Sequence, residues 1–208
     1  GRTCVLVVTD IDRDNPRQVA AAYRELFFAA GGGGLGLFTA IGRLRAVHRL
    51  IGADLDAAGI ALLAQHVDAL DAGTLIDIFR VEEDSCLLGT DAVRDGIDVP
   101  GRALRLIVFD RVPWPRPTLL HRARRDAFGG RDYDERLTRL KLKQAFGRLI
   151  RKAEDVGAFV MLDRALPSRL NSAFPDGVPV RRAGLAAAIE AVRAICAGEQ
   201  PSTRCDFW

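Results

Sequence analysis

Two short stretches hold the residues best suited to chemistry. In Gln144-Ala145-Phe146-Gly147-Arg148-Leu149-Ile150-Arg151, the amide and the two guanidiniums recur at helical spacing, so they share one face of a predicted helix. Each guanidinium is a planar, permanently charged fork of donors that matches phosphate oxygens. Gly147 lies inside the same helical stretch, where glycine costs about 1 kcal/mol relative to alanine, and its presence points to something that approaches the backbone closely. Such a face suits a polyphosphate bound at an interface, as arginine fingers do. The plainer reading is a solvated basic stripe, because Arg136, Arg139, Lys141, Lys143 and Lys152 share the neighbourhood. The glycine decides between them.

The second stretch runs Gly89-Thr90-Asp91-Ala92-Val93-Arg94-Asp95-Gly96-Ile97-Asp98-Val99-Pro100-Gly101, directly after the apolar Cys86-Leu87-Leu88. Gly96 stands between Asp95 and Asp98, and the loop closes on Pro100-Gly101. A bare structural turn rarely collects so many special-backbone and charged residues at the end of a strand. A third stretch, Gly31 to Gly34, tempts as a phosphate loop, but it follows a helix and precedes a strand, the reverse of what phosphate binding at a helix N-terminus needs. No Gly-Lys-Ser/Thr and no dinucleotide fingerprint occurs, and only Lys141, Lys143 and Lys152 among the 30 basic residues are lysine. The glycine run therefore reads as a flexible helix-to-strand connection.

The elements that must position these residues alternate. Short apolar runs at Cys4–Thr9, Leu35–Thr39, Ala61–Ala64, Cys86–Gly89, Leu104–Phe109 and Ala158–Leu162 read as strands. Helical patterns run from Pro16, through Leu44 to Ile51, from a cap at Thr74, over about 119–128 and 133–152, and over an Ala-rich segment at about 182–197. Pro113, Pro115 and Pro117 force an irregular segment between two of them. Wholly apolar strands alternating with helices predict an α/β fold: a doubly wound, mostly parallel sheet with helices on both faces, in one domain over residues 1–208. Ligands of such sheets sit at the carboxyl ends of the strands, which directs attention to the loops after Phe38, Leu88, Phe109 and Leu162.

Composition narrows the classes. The chain has 208 residues and a formal net charge of +3, too balanced for a polybasic protein, so nucleic-acid contact must come from local placement. No apolar run approaches the roughly 20 residues of a membrane span, so no membrane partner is expected. Cys4, Cys86, Cys196 and Cys205, with His48, His66 and His121, show no metal-ligand spacing, and the thiols read as unpaired in a cytoplasmic protein. The first residue is Gly1, already close to a strand, which suggests a fragment of a larger protein.

The two chemical stretches together resemble motifs V and VI of superfamily 2 helicases, most closely the DinG/XPD-like ATP-dependent DNA helicases. Leu37-Phe38-Thr39 resembles motif IV, Phe109-Asp110-Arg111-Val112-Pro113-Trp114-Pro115 resembles the Asp-Arg-x-Pro-Phe-Pro segment after motif V, and Leu162-Asp163-Arg164 resembles the strand-end Asp-x-Arg beyond motif VI. The likeness spans about residues 35–170 and implies a RecA-like C-terminal motor lobe, the second of two. It implies that Arg148 and Arg151 contact the γ-phosphate of ATP and that Gln144 positions the nucleotide or attacking water. Gly96, Asp98 and Gly147 would line the nucleotide side of the cleft, and Thr39 and Thr90 would bond phosphates of single-stranded DNA. Val93-Arg94-Asp95 replaces the family's aromatic-Trp-Glu, and there Arg94 would supply a phosphate contact.

By the same resemblance, ATP and Mg²⁺ are held mainly by the N-terminal motor lobe, which in most members also carries an iron–sulfur cluster. This sequence holds none of that lobe's motifs, so the isolated lobe is expected to be inactive as an ATPase. The alternative is a non-catalytic RecA-like module that binds DNA or protein in a degenerate helicase, with Arg94 as its best support. An unrelated small-molecule enzyme would need a nucleophile–base pair or a cofactor loop, and neither is evident.

Overall fold

The computed structural model describes residues 3–99, 101–152 and 155–198. In chain order the elements are β1 (Thr3–Val8), α1 (Pro16–Ala30), β2 (Gly34–Leu37), α2 (Ile41–Ala57), β3 (Leu62–Ala64), α3 (Ala72–Val81) and β4 (Cys86–Gly89). They continue with α4 (Asp91–Gly96), β5 (Leu106–Phe109), α5 (Leu119–Ala127), α6 (Arg131–Leu149), β6 (Gly157–Met161), β7 (Val180–Ala183) and α7 (Leu185–Cys196). The strands form one seven-stranded sheet in the order β3-β4-β2-β5-β6-β1-β7, and every pairing is parallel. All carboxyl ends therefore lie along one edge, as the doubly wound expectation requires.

Strand periodicity divides the core in two. Leu6, Val8, Leu88, Val108 and Val160 point to the face covered by α1, α2 and α7, where Tyr23, Phe27, Leu44 and Val192 are buried. Val5, Leu37, Leu87, Ile107 and Phe159 point to the other face, against Leu75 and Phe79 of α3 and Leu142, Phe146 and Leu149 of α6. Burial on both faces explains why these strands read as continuous apolar runs.

Local signals account for the helix ends. Asn15 caps α1 by accepting from the N–H groups of Arg17 and Gln18, Pro16 occupies the first turn, and Gly31 ends the helix in the left-handed region at φ 64°. The cap of α3 is Asp71, not Thr74. Its carboxylate accepts from the Thr74 N–H at 3.0 Å and from the Thr74 hydroxyl at 2.7 Å.

The glycine run is a tight knot rather than a loose connection. Gly31, Gly32 and Gly33 have φ of 64°, 91° and 60°, and a Cβ on Gly32 would lie 2.1 Å from the Asp84 carbonyl oxygen. The buried Arg105 guanidinium fills the centre. It donates to the carbonyls of Ala30 (2.8 Å), Gly31 (2.5 Å), Glu83 (3.0 Å) and Arg102 (2.8 Å), and pairs with Asp84 at 2.8 Å. A cation on the last carbonyls of α1 also suits that helix end. The knot sits at the amino edge of the sheet, away from the loops of interest.

Where a helix was expected from about residue 182, the chain first forms the edge strand β7, and α7 begins only at Leu185. Arg181 and Arg182 give β7 no apolar alternation, because it pairs with β1 alone. Arg182 instead donates to the carbonyls of Arg164 at 2.9 Å and Leu166 at 2.5 Å. Cys4, Cys86 and Cys196 are free thiols, and Cys205 lies outside the described residues, as does Trp208. Among the described residues no cluster of His, Cys, Asp or Glu is arranged to hold a metal, and no helix is long and apolar enough to cross a membrane.

Candidate nucleotide and nucleic-acid site

The loop after β4 is held from both sides. A Cβ on Gly89 would lie 2.5 Å from the Val93 Cβ, so only glycine lets α4 fold back on the strand end. Thr90 hooks the loop to the end of β3: its N–H and its hydroxyl both donate to the Gln65 side-chain oxygen, each at 2.9 Å. The hydroxyl proton expected for a nucleic-acid phosphate is thus occupied within this chain.

Arg94 requires a correction. Its side chain is only 5% exposed and lies between two carboxylates, with Asp91 at 2.7 Å and Asp95 at 2.8 Å. The guanidinium closes α4 on itself and leaves no free face for a phosphate. Asp91 also receives the Lys141 ammonium at 3.3 Å, which ties this loop to α6. Gly96 and Asp98 are exposed at the outer end of the loop, and Pro100 lies outside the described residues.

α6 buries Leu142, Ala145, Phe146 and Leu149 and turns Gln144 and Gly147 outward. A Cβ on Gly147 would meet nothing within 4 Å. No neighbour among the described residues explains the glycine. The helix ends at Leu149, and Ile150 is extended at φ −123° and ψ 109°, so Arg151 is not on the helical face with Arg148 as the spacing predicts. The two arginines converge all the same. Arg148 donates to the Asp95 carbonyl at 3.3 Å, and the Arg151 guanidinium forms an ion pair with the Asp98 carboxylate.

Asp155 fixes the backbone at this point. Its carboxylate accepts from the N–H groups of Arg151 at 2.7 Å and Lys152 at 2.8 Å, and these bonds hold its pKa below the ordinary value. Further back, the buried Glu135 carboxylate takes Arg169 at 2.5 Å and Arg131 at 3.1 Å, which lowers its pKa and anchors α6 to the segment after β6. Sequence reasoning missed both acids, since nothing in their spacing distinguishes them from surface carboxylates.

Along the same edge, two buried aspartates bracket the remaining loops. Asp110 accepts from the Thr39 N–H at 3.1 Å and pairs with Arg43 at 2.6 Å; burial pushes its carboxyl up, and those two partners pull it back. Asp163 accepts from the Val112 N–H at 3.1 Å and pairs with Arg13 at 2.6 Å. Thr39 is half-buried, and its hydroxyl makes no hydrogen bond to another described residue, while its carbonyl accepts from Arg116 at 3.1 Å. Near β1 and β6 the edge opens into a cavity of about 610 Å³ lined by Asp10, Asp12, Arg13 and Arg164 among others.

The edge thus joins a strand-end threonine, a glycine-punctuated acidic loop and two arginines that meet on that loop. A family profile described as "Helicase C-terminal domain" matches residues 24–181. The chain belongs to that family. The "ATP-dependent helicase DinG" of Mycobacterium tuberculosis is 36% identical over 146 residues, which cover 67% of this chain and 21% of that protein. The "3'-5' exonuclease DinG" of Bacillus subtilis is 31% identical over 153 residues, 69% of this chain and 16% of that protein. This helicase C-terminal domain therefore spans about a fifth or less of the length of those relatives.

Solved structures agree on the fold. An XPD helicase superposes with a TM-score of 0.63 at 17% identity, covering 88% of this chain and 36% of that one. The C-terminal domain of the DEAD-box protein Dbp5 gives 0.59 at 16% identity and covers 94% of this chain and 97% of that one. A RecA-like sheet is common to all three.

Proposed function

We propose that this domain is the second motor lobe of an ATP-dependent DNA helicase. The convergence of Arg148 and Arg151 on the loop from Asp95 to Asp98 carries the proposal. Two guanidiniums at one exposed rim can neutralise the charge that develops on a transferring phosphoryl group, but only when a facing lobe delivers the nucleotide. Gln144 and Gly147 face outward beside them, where a nucleotide or the first lobe would come close. Gly96 and Asp98 line the same rim. Mg²⁺ would neutralise β- and γ-phosphate charge from the first lobe, where an iron–sulfur cluster would also reside. The residues of this chain would bind and orient the phosphates.

Thr39 would contact a phosphate of the single strand with its free hydroxyl, and Thr90 would do so after releasing Gln65. Movement of the loop from Thr90 to Asp98 would link the two sites, because one end holds Gln65 and the other holds Arg151. A degenerate binding module drew its support from Arg94. As a brace between Asp91 and Asp95, Arg94 favours an intact loop instead.

ATP hydrolysis by this chain alone and by the full-length protein, each with and without single-stranded DNA, tests the reading. The lobe alone should turn over no ATP, and the full-length protein should turn over ATP faster with DNA. A full-length protein that binds DNA but hydrolyses no ATP would overturn it.

A further inference from the structure

The charge of this chain is unevenly placed. From Arg111 to Lys143 there are 10 Arg and Lys against 4 Asp and Glu, a net of +6 in a chain whose whole net charge is +3. The rest of the chain is therefore net acidic. Much of the positive stretch is α5 and the proline segment before it, and α5 buries none of its residues. The core has no use for this helix.

What holds α5 also shows what it leaves free. Asp134 takes His121 at 2.7 Å and Arg125 at 2.9 Å, so that arginine is neutralised. Arg122 is exposed, and its guanidinium makes no hydrogen bond or ion pair among the described residues. It lines a cleft of about 270 Å³ with Pro115, Pro117 and the Asp126 carboxylate. Arg116, between those prolines, is exposed and spends one nitrogen on the Thr39 carbonyl, which leaves its other donors to solvent. Trp114, two residues earlier, is 39% exposed.

We propose that this segment is a second stretch of the nucleic-acid path, in which Arg116 and Arg122 bind successive phosphodiesters of a single strand leaving Thr39 and Trp114 offers a base a stacking face. The proposal rests on the motor-lobe reading for the strand's presence at Thr39. Contact between Arg116 and the Thr39 carbonyl makes the two surfaces continuous. Cationic grooves with interleaved aromatic side chains are the general solution for holding single strands without sequence preference. Prolines on both sides of Arg116 fix the backbone there, which lowers the entropy lost when the strand binds.

The test is the salt dependence of binding of fluorescent oligothymidylates, from short to long, to the full-length protein. Each phosphate neutralised on a single strand contributes about −0.7 to the slope of log K against log salt. Arg116→Gln/Arg122→Gln should flatten the slope by about 1.4 and Arg122→Gln alone by about 0.7 for long strands. Short strands that end at Thr39 should be unaffected. Arg49→Gln/Arg193→Gln, on helices covering the opposite sheet face, should keep the wild-type slope. The Arg122 side chain makes no bond to another described residue, so its variant should fold as the wild type does.

If the wild type binds long strands and Arg122→Gln keeps its slope, the segment serves another partner, such as an acidic protein surface, and this inference falls while the motor reading stands. If the wild type binds no strand of any length, the reading of Thr39 falls and takes this inference with it.

Discussion

Arg151 and Asp98 form an ion pair that joins the chain just beyond α6 to the loop just beyond α4. The side chains are 28% and 64% exposed, so the pair is worth little to folding, about 1 kcal/mol or less. Its value lies in aim. Under the proposed motor reading, Asp98 would hold the guanidinium at the rim until a phosphate competes for it. Asp98→Asn should therefore leave the urea midpoint nearly unchanged while lowering kcat of the full-length protein about tenfold, equal to about 1.4 kcal/mol of barrier. A large loss of stability with unchanged turnover would show a structural pair.

Gly147 separates stability from function in the opposite sense. It lies in an exposed helical position with open space where a Cβ would go, so Gly147→Ala should stabilise the lobe by about 1 kcal/mol. For a domain of this size that is a rise of about 2–4 °C in Tm. The same methyl would project toward the nucleotide or the first lobe, and ATP turnover in the full-length protein should fall. Higher Tm with full activity would remove Gly147 from the site.

Gly32 belongs to the fold alone. With φ of 91° and the Asp84 carbonyl oxygen 2.1 Å from its would-be Cβ, Gly32→Ala must both strain the backbone and open the knot around Arg105. A loss of about 3 kcal/mol or more is expected, or roughly 6–12 °C in Tm. Thermal melts of the lobe check this.

Acid should loosen α6. Glu135 has its pKa lowered first by its bond to Arg169 and then by Arg131. A lowered carboxylate contributes stability above its unfolded pKa of about 4.3, and that stability is lost as pH falls through the folded value. Urea midpoints of the wild type should drop across that acidic window, and those of Glu135→Gln should drop less. Equal pH slopes would contradict the assignment.

The apolar strands were legible because burial on both sheet faces leaves no polar alternation, and Gly147 stood out because few structural needs place a glycine inside a helix. β7 was not, since an edge strand with Arg181 and Arg182 carries no apolar period. The exit of Arg151 from the helix was also hidden: Asp155, four residues on, draws the backbone out by taking two of its N–H groups. Arg94 misled in the other direction. A cation in a loop reads as surface until its two neighbouring carboxylates are seen to enclose it.

The most direct test of the motor account is ATP turnover by the full-length protein on single-stranded DNA, wild type against Arg151→Ala. Arginine fingers are typically worth about 10³–10⁵ in rate, so kcat should fall by about that range while the DNA dissociation constant stays within about twofold. Arg151→Lys should recover little, because an ammonium lacks the planar fork. A kcat within about threefold of wild type would correspond to less than 1 kcal/mol at the transition state and would contradict the assignment of Arg151 to the phosphate.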